Sequence, residues 1–347
     1  MKRILTIVLV VVVALAGVGY FIWESQSYVA KVGNQKIVNH EYIFFLRAQK
    51  IDTQRQAGVN TQQDIHALWV TPVDGDDPKT IVMNQALENA KEFKIQLIKA
   101  EQSNIKLSGK ERKEILENLN ASMQNKEIAN YVKNDLGLTL AQFKDMMLKS
   151  EIVNRLAHDF IENNHDAVTV TEQEAASYYQ HNRDAIDEVT VSHLFISTEQ
   201  EGLTDTQKQE KRQYANGLLE QLRQGEDITA LIREYSEDAL SKDSEGLYTF
   251  TYAQSNTQKY LWVFSDWAFS SEPGEFEMIE SQYGYHIVKL ENKTTFDDKE
   301  EQIKNTIKSR KLNELYYNQV QEWNKDPSLN LVKNEKVLFR ITQKSFQ

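Results

Sequence analysis

Residues 281–290 read Ser-Gln-Tyr-Gly-Tyr-His-Ile-Val-Lys-Leu, and this stretch decides the fold class of the region around it. Its β-branched and aromatic residues predict a strand from Tyr283 to Glu291. A second strand is predicted from Phe276 to Glu280, directly after a Pro-Gly turn at residues 272–275. Two neighbouring strands at this point predict a sheet as the framework of the region.

Upstream of these strands, the sequence predicts further elements of the same domain, beginning at Asp187. A β-branched run at 189–196 predicts a strand. A helix is predicted from about Thr206, because leucines recur on one face, and Gly225 is placed to end it. The remaining elements are a short helix at 228–235, an irregular segment at 236–256 and an aromatic helix at 260–269. This order indicates a compact α+β domain at residues 187–293.

The segments on both sides of this domain have helical patterns. Upstream, a small hairpin around Gly33-Asn34 precedes helices whose apolar residues recur three and four apart, and the polar stretch 52–79 is predicted as a loop. Downstream, a long amphipathic helix at 297–325 needs a partner for its apolar stripe. Weakly alternating residues after it are predicted as strands: Leu329, Leu331, Val337, Phe339 and Ile341. The α+β domain is therefore predicted to be inserted in a helical domain made of residues 27–186 and 294–347.

The first residues carry a membrane signal. Lys2 and Arg3 precede an unbroken apolar run from Ile4 to Trp23, which as a helix spans about 30 Å, the thickness of a bilayer core. Because basic residues stay on the cytoplasmic side, a single-pass anchor at residues 1–26 is predicted, with the bulk of the chain outside the cell membrane. A signal peptide cleaved after Ala14-Leu15-Ala16 is the alternative.

The composition excludes several classes of protein. The 347 residues carry a net charge of −11, which disfavours nucleic acid as a partner, because phosphates need a basic surface. Without cysteine, the chain has no disulfides and no lipid-bearing N-terminal Cys. It contains no Gly-rich phosphate loop, nucleophile motif or metal-ligand spacing, so no cofactor and no metal are expected.

Three segments of the predicted domain, in order, resemble the parvulin family of peptidyl-prolyl cis/trans isomerases. They are the strand Val191–Ile196 with its histidine, the Tyr-Ser-x-Asp loop at Tyr235–Lys242, and the closing run Ser281–Leu290. Trp267-Ala268-Phe269 and Pro273-Gly274-Glu275 fit the same pattern. The wider arrangement, with a hairpin, helices, an inserted domain and a long C-terminal helix, resembles the PrsA-like and SurA-like extracytoplasmic foldases over most of residues 27–333.

The resemblance implies a four-stranded antiparallel sheet with flanking helices, inserted in a helical chaperone module. It also implies a membrane-anchored isomerase and chaperone that assists the folding of exported proteins, with unfolded polypeptides containing X–Pro bonds as partners. Such an enzyme needs no cofactor. Rotation about the bond faces a barrier of about 20 kcal/mol set by amide resonance, so the enzyme has only to favour the twisted amide.

The resemblance assigns individual residues as well. His193, Asp238 and His286 are predicted to be catalytic, the histidines by shaping a hydrogen-bond network and the carboxylate by lying beside the substrate carbonyl. The predicted substrate-binding residues form an apolar proline pocket and two hydroxyl-bearing positions near the second histidine: Leu247, Phe250, Tyr260, Phe264, Ser281 and Tyr283.

Two tyrosines depart from the family pattern. Tyr248 stands where the family commonly has a Gly, and Tyr260 lies near a usual Met, so a reshaped or partly filled pocket is expected. Two functional alternatives therefore stay open: a non-catalytic chaperone with a degenerate parvulin domain, and a membrane-tethered scaffold for one partner. The two histidines have a structural alternative as satisfied core residues. A homodimer stays open beside a monomer.

Overall fold

The computed structural model describes residues 27–238, 244, 246–257 and 259–346. The predicted anchor at residues 1–26 and part of the Tyr-Ser-x-Asp loop (residues 239–242) lie outside the described residues. None of the helices in the described ranges is long and apolar enough to cross a membrane.

Helices and strands alternate along the chain in an α+β order. The strands are β1 (Tyr28–Val32), β2 (Gln35–Val38), β3 (Glu188–Ser197), β4 (Leu247–Thr251), β5 (Phe276–Ser281), β6 (Gly284–Thr294) and β7 (Leu331–Lys333). The α-helices of the described residues are α1 (Asn39–Gln56), α2 (Gln62–Val70), α3 (Pro78–Gln102), α4 (Gly109–Ser122), α5 (Lys126–Asn130), α6 (Leu140–Asn164), α7 (Glu172–Ile186), α8 (Asp205–Arg223), α9 (Ile228–Tyr235), α10 (Leu261–Ser270), α11 (Phe296–Asn324) and α12 (Glu335–Phe346). Single turns of other helix types occur at Tyr131–Asp135, His165–Ala167, Tyr252–Gln254 and Pro327–Leu329.

The chain divides into two compact units, residues 1–167 with 312–347 and residues 168–311. The second unit extends beyond the predicted domain at 187–293 on both sides. The reason is an apolar cluster in which Ala175 of α7 packs with Ile303 and Ile307 from the first part of α11. The helices that flank the predicted domain therefore belong to its unit.

The first unit joins the two ends of the described chain in one sheet. β1 pairs antiparallel with both β2 and β7, and Lys31 lies opposite Val332. The helices α1 and α3 pack beside this sheet, and the buried core includes Ile37, Tyr42 and Leu87. At its hydroxyl, Tyr42 lies 3.1 Å from Thr342 of α12.

Two expectations for the first unit were wrong. The stretch 52–79 is not one loop, because α1 continues to Gln56 and α2 follows, with Trp69 buried in the core. Val337, Phe339 and Ile341 lie in the helix α12 rather than in a strand. Its buried residues Val337, Leu338, Ile341, Thr342 and Ser345 recur at helical spacing, which the apparent alternation concealed.

The second unit is built on a four-stranded antiparallel sheet in the order β4-β3-β6-β5, which confirms the predicted sheet with flanking helices. One face packs against α8 and α9 through Leu194, Ile196 and Ile287. The other face packs against α10 through Val191, Phe195 and Val288. Because side chains alternate along a strand, the residues between these two sets are fixed to one face or the other.

Candidate active site

The two predicted histidines lie next to each other on the α10 face of the sheet. His193 is on β3 and His286 on β6, the two central strands, and both side chains are completely buried. Nε2 of His193 is 3.0 Å from Nδ1 of His286, and the rings are stacked with centroids 5.2 Å apart. The predicted pairing of the histidines is therefore present in the geometry.

Hydrogen-bonding groups continue on both sides of this pair. On one side, Oγ of Ser281 lies 2.7 Å from Nε2 of His286 and accepts a hydrogen bond from the backbone N–H of Tyr283. On the other side, Oδ2 of Asp238 lies 3.4 Å from Nδ1 of His193, which is long for a direct hydrogen bond. The row Asp238–His193–His286–Ser281 thus crosses the sheet.

The carboxylate of Asp238 sets the direction of the hydrogen bonds in this row. A lone pair on Nδ1 of His193 would repel the carboxylate, so this nitrogen carries the proton and Nε2 accepts. Nδ1 of His286 then donates to His193, and its Nε2 accepts from the hydroxyl of Ser281. In this arrangement both rings are neutral, and each of the two nitrogens that face each other takes part in one hydrogen bond.

Burial keeps both histidines neutral. It lowers the pKa of His193 below its usual 6.5, against the opposing effect of Asp238. For His286, burial first and then the charge of His193 lower the pKa to about 3. Neither ring therefore gains a proton near neutral pH, and the direction of the row is fixed there.

Asp238 is positioned by the loop that follows α9. Oγ of Ser236 accepts hydrogen bonds from the backbone N–H groups of Phe195 and Asp238, and the backbone N–H of Glu237 donates to the carbonyl of Phe195 at 2.7 Å. These bonds tie the loop to β3 beside His193. The Tyr-Ser-x-Asp segment therefore holds the carboxylate of Asp238 against the sheet.

Tyr248 completes the surroundings of Asp238. Its hydroxyl donates to Oδ2 of Asp238 at 2.8 Å, and its ring centroid is 5.8 Å from that of His193. Tyr248 lies on β4 opposite Val191, and its φ is not positive, so the position does not require a Gly. The backbone at Tyr248 is therefore not in the left-handed region, and its hydroxyl is an additional member of the candidate site.

Aromatic side chains cover the histidine pair. Phe264 of α10 packs on His193 with centroids 5.0 Å apart, and Phe250 of β4 packs edge-on against Phe264. Tyr260 packs on both histidines and lies 4.6 Å from the ring of Phe195. These three of the four predicted pocket residues are buried, and Tyr260 covers both histidine rings.

Tyr260 has a strained backbone conformation, and two charged neighbours contact its side chain. Its φ is +79°, a left-handed conformation that costs a non-glycine residue about 1–2 kcal/mol. Its hydroxyl lies 3.1 Å from Oε2 of Glu199, and Nζ of Lys259 lies 2.9 Å from that same oxygen and 4.6 Å from the centre of the Tyr260 ring. The Lys259 bond holds the pKa of Glu199 below its usual value.

Leu247 is the one predicted pocket residue that the fold does not bring to this cluster. It lies opposite Ser192 on the face away from the histidines, and 45% of its surface is exposed. The reason is the alternation of β4, which sends Tyr248 and Phe250 toward the histidines and the residues between them to the other face.

Four residues that take part in the site were absent from the predicted set. They are Tyr248, the pair Glu199 and Lys259, and Trp262, whose ring is 46% exposed and meets the edge of Tyr283. The Tyr-Thr-Phe alternation of β4 signalled Tyr248, because it places residues 248 and 250 on one face. In the part of the chain that the structure describes, no three His, Cys, Asp or Glu side chains gather as metal ligands.

Comparison with protein families identifies the second unit. The profile of the PPIC-type peptidyl-prolyl isomerase domain matches residues 176–294, which include the whole sheet and both histidines. The chain contains a PPIC-type peptidyl-prolyl isomerase domain and is similar to the PrsA foldases.

Relatives extend the likeness of this PrsA-like foldase beyond its isomerase domain. The foldase protein PrsA of Caldanaerobacter subterraneus subsp. tengcongensis is 27% identical over 296 residues, covering 84% of this chain and 81% of the relative. PrsA of Clostridium botulinum strain Langeland is 28% identical over 263 residues, covering 72% of this chain and 66% of the relative, just under two thirds. The crystal structure of PrsA from Streptococcus pneumoniae has 20% identity and a TM-score of 0.34, covering 80% of this chain and 91% of that one.

Proposed function

We propose that this foldase isomerises X–Pro bonds of exported polypeptides at the aromatic edge of the histidine row. The two histidines at the centre of the row are buried, neutral and hydrogen-bonded, and this observation carries the proposal. Beside it, Trp262 and Tyr283 offer aromatic surface that reaches solvent next to the buried ring of Tyr260, and a proline ring packs well on aromatic faces. The substrate proline binds at this edge, displacing the ring of Tyr260 from the histidines.

The chemistry follows from what the site does to amide resonance. A planar X–Pro bond carries partial negative charge on its carbonyl oxygen, and the twisted bond carries less. A carbonyl oxygen next to the carboxylate of Asp238 is therefore less stable when planar, and the dry aromatic surroundings also disfavour charge separation. The neutral histidines hold Asp238, Ser281 and the strands in place without adding a positive charge that would reverse this effect.

Trp262→Ala tests the substrate edge directly. We expect kcat/KM for exchange of an Ala-Pro peptide, measured by two-dimensional NMR, to fall roughly tenfold, because one aromatic contact with the proline is lost. The matched control is Tyr214→Ala, which removes a comparably exposed aromatic ring from α8 on the other face of the same unit.

The control should keep the rate of the unaltered chain. An equal rate for Trp262→Ala would show that the proline binds elsewhere. A full chain that folds but leaves exchange at its uncatalysed rate for several residues before proline would support the non-catalytic chaperone instead.

We further propose that the apolar run Ile4–Trp23 anchors the foldase in the cell membrane, with the rest of the chain outside. The length of the run and its flanking Lys2 and Arg3 support this proposal. Intact mass of the membrane-extracted protein tests it, since the full-length mass is expected. A mature chain that starts at Gly17 would show cleavage after Ala16 and a released protein.

A further inference from the structure

A basic cavity lies in the first unit, outside the isomerase domain. It lies between α1, the beginning of α6 and α12 and has a volume of about 550 Å³, within the usual range for small-ligand sites. Its described lining includes four basic residues and no carboxylate: Ser27, Val38, Asn39, His40, Ile43, Arg47, Gly137, Gln142, Arg340, Ile341, Lys344 and Ser345. This is unusual in a chain of net charge −11.

Arg47 is the central cation of this cavity. Its Nε is buried and lacks a hydrogen-bond partner, although an arginine N–H in such a place is normally satisfied. The chain backbone packs closely there, since a Cβ at Gly137 would lie 3.8 Å from that Nε. Burial lowers the pKa of Arg47, and Asp135 opposes this effect through its charge. A buried donor of this kind is satisfied when an acceptor enters the cavity.

The surroundings reinforce the positive potential. Lys344 and Arg340 lie one turn apart on α12, and Gln142 belongs to the first turn of α6, whose N-terminal end carries the positive end of a 25-residue helix dipole. Lys50 lies nearby, and its pKa is lowered by burial and then by the charges of Arg47 and Lys79. Two carboxylates lie near the lining, since Asp145 is 2.8 Å from His40 and Asp135 acts on Arg47 through its charge.

We propose that this cavity binds a phosphate group. A guanidinium with an unused N–H, an ammonium and the positive end of a helix dipole are three features that favour phosphate, and the oxygens of phosphate supply the acceptor that Nε of Arg47 lacks. The phosphate has two sources of the same chemistry, free phosphate and the headgroup of an anionic lipid.

The lipid source rests on the proposed membrane anchor. Ser27 lines the cavity and is only four residues beyond Trp23, so the extended chain between them spans roughly 14 Å. With the run Ile4–Trp23 in the bilayer, the cavity lies within reach of the headgroups. Bound headgroup phosphate would hold the first unit against the membrane surface.

The free-phosphate arm uses ³¹P NMR titration of the full chain in a non-ionic detergent. Arg47→Gln/Lys344→Gln is expected to raise the Kd for inorganic phosphate tenfold or more, because two charged donors are lost. Lys344→Gln alone, at an exposed position that does not endanger folding, should raise it about threefold. Lys113→Gln is the matched control, since it removes an equal charge from α4, where 75% of the side chain is exposed, and should leave the Kd unchanged.

The lipid arm compares melting of the full chain in nanodiscs of phosphatidylcholine with and without phosphatidylglycerol. The anionic lipid is expected to raise the melting temperature of the unaltered chain and of Lys113→Gln, but not of the double variant. If free phosphate binds but the anionic lipid does not raise the melting temperature, the site is assigned to free phosphate. Absence of binding in both arms, or binding by the double variant equal to that of the unaltered chain, would overturn the proposal. Peptide exchange, measured in parallel, separates this result from a failure of the isomerase proposal, because the cavity lies outside the second unit.

Discussion

At the scale of single residues, we predict that the row Asp238–His193–His286–Ser281 contributes to stability and to function through the same hydrogen bonds. His286 is buried and bonded on both ring nitrogens. We expect His286→Ala to lower the free energy of unfolding by about 3 kcal/mol and to abolish most isomerase activity. The change leaves Nε2 of His193 without its donor and opens a cavity beside Phe195.

Urea unfolding followed by tryptophan fluorescence checks this expectation. His181→Ala is the control, because His181 is exposed on α7 of the same unit, and its change should stay within about 0.5 kcal/mol. Loss of activity in His286→Ala at full stability would mean that the ring acts on substrate alone and does not support the fold.

The depressed pKa values of the histidines predict a loss of stability in acid. The unfolded chain binds protons at its histidines below about pH 6.5, whereas folded His286 does so only near pH 3. Stability is therefore fully present above pH 6.5 and is lost as pH falls from 6.5 toward 3. Between pH 6.5 and 5, His286 should contribute roughly 2 kcal/mol of this loss.

The comparison of unaltered chain and His286→Gln isolates this effect, because the other titrating groups are shared. The free energy of unfolding should fall less steeply with acid in the variant. Parallel pH profiles would contradict the buried neutral state of His286.

At the scale of elements, the β5–β6 turn places Ser281 next to His286 and depends on one glycine. Gly284 has φ +143°, and a Cβ there would lie 2.2 Å from the carbonyl oxygen of Ile196 on β3. We expect Gly284→Ala to destabilise the second unit by more than about 3 kcal/mol, because backbone and not a flexible side chain blocks the space.

Gly274→Ala is the matched control. Gly274 also has a positive φ, +95°, but nothing lies within 4 Å of the added Cβ. Gly274→Ala should lower the free energy of unfolding by only about 1–2 kcal/mol, because only the left-handed backbone conformation is unfavourable for Ala there. Equal losses of urea-unfolding energy in the two variants would mean that conformation, and not the close approach to β3, explains the glycine at 284.

The elements also show what the sequence could predict. Strong local patterns, such as the β-branched and aromatic strands at 189–196 and 283–291, predicted elements that the structure contains. Short or mixed patterns failed, as with α12, whose apolar residues satisfy both an alternating and a helical spacing over a few positions. Its helical state is decided by burial of one face in the first unit, which the local pattern does not contain.

The same limit applies to the site. The resemblance named the histidines and Asp238, and the structure brings them together. The position of Leu247 depends on the register of β4, because a shift of one residue turns a side chain to the other face of the sheet. The contact of Tyr248 could not be predicted locally, because its partner is a loop carboxylate ten residues away. The contact of Lys259 is less local still, because its partner Glu199 is sixty residues away.

At the scale of the whole molecule, the unit boundaries predict which fragment folds alone. Asp187 is buried and bonded to Tyr179 and Arg183 of α7, so a fragment that starts at residue 187 buries this carboxylate without partners. Residues 168–311 also keep the bond from Lys311 to Glu174. We expect this fragment to fold and to catalyse peptide exchange, with a melting temperature at least 5 °C above that of residues 187–293.

Circular dichroism melting of the two fragments decides this question. A control fragment, residues 168–311 with Lys208→Gln, removes an exposed charge from α8 without shortening the chain and should melt like its parent. Identical melting of the long and short fragments would place α7 and the start of α11 outside the cooperative unit.

The pairing of β1 with β7 also sets the order in which the protein matures as it is made. Residues 27–167 leave the ribosome first. β1 cannot pair with Leu331–Lys333 until these residues emerge, which happens after all residues of the second unit have been made. Closing a sheet across so many residues is slow, whereas the contacts of residues 168–311 are all available earlier. The second unit, which carries the isomerase domain, can therefore fold while the first unit is still incomplete, and the newly made chain passes through a stage with a folded enzyme and an open first unit.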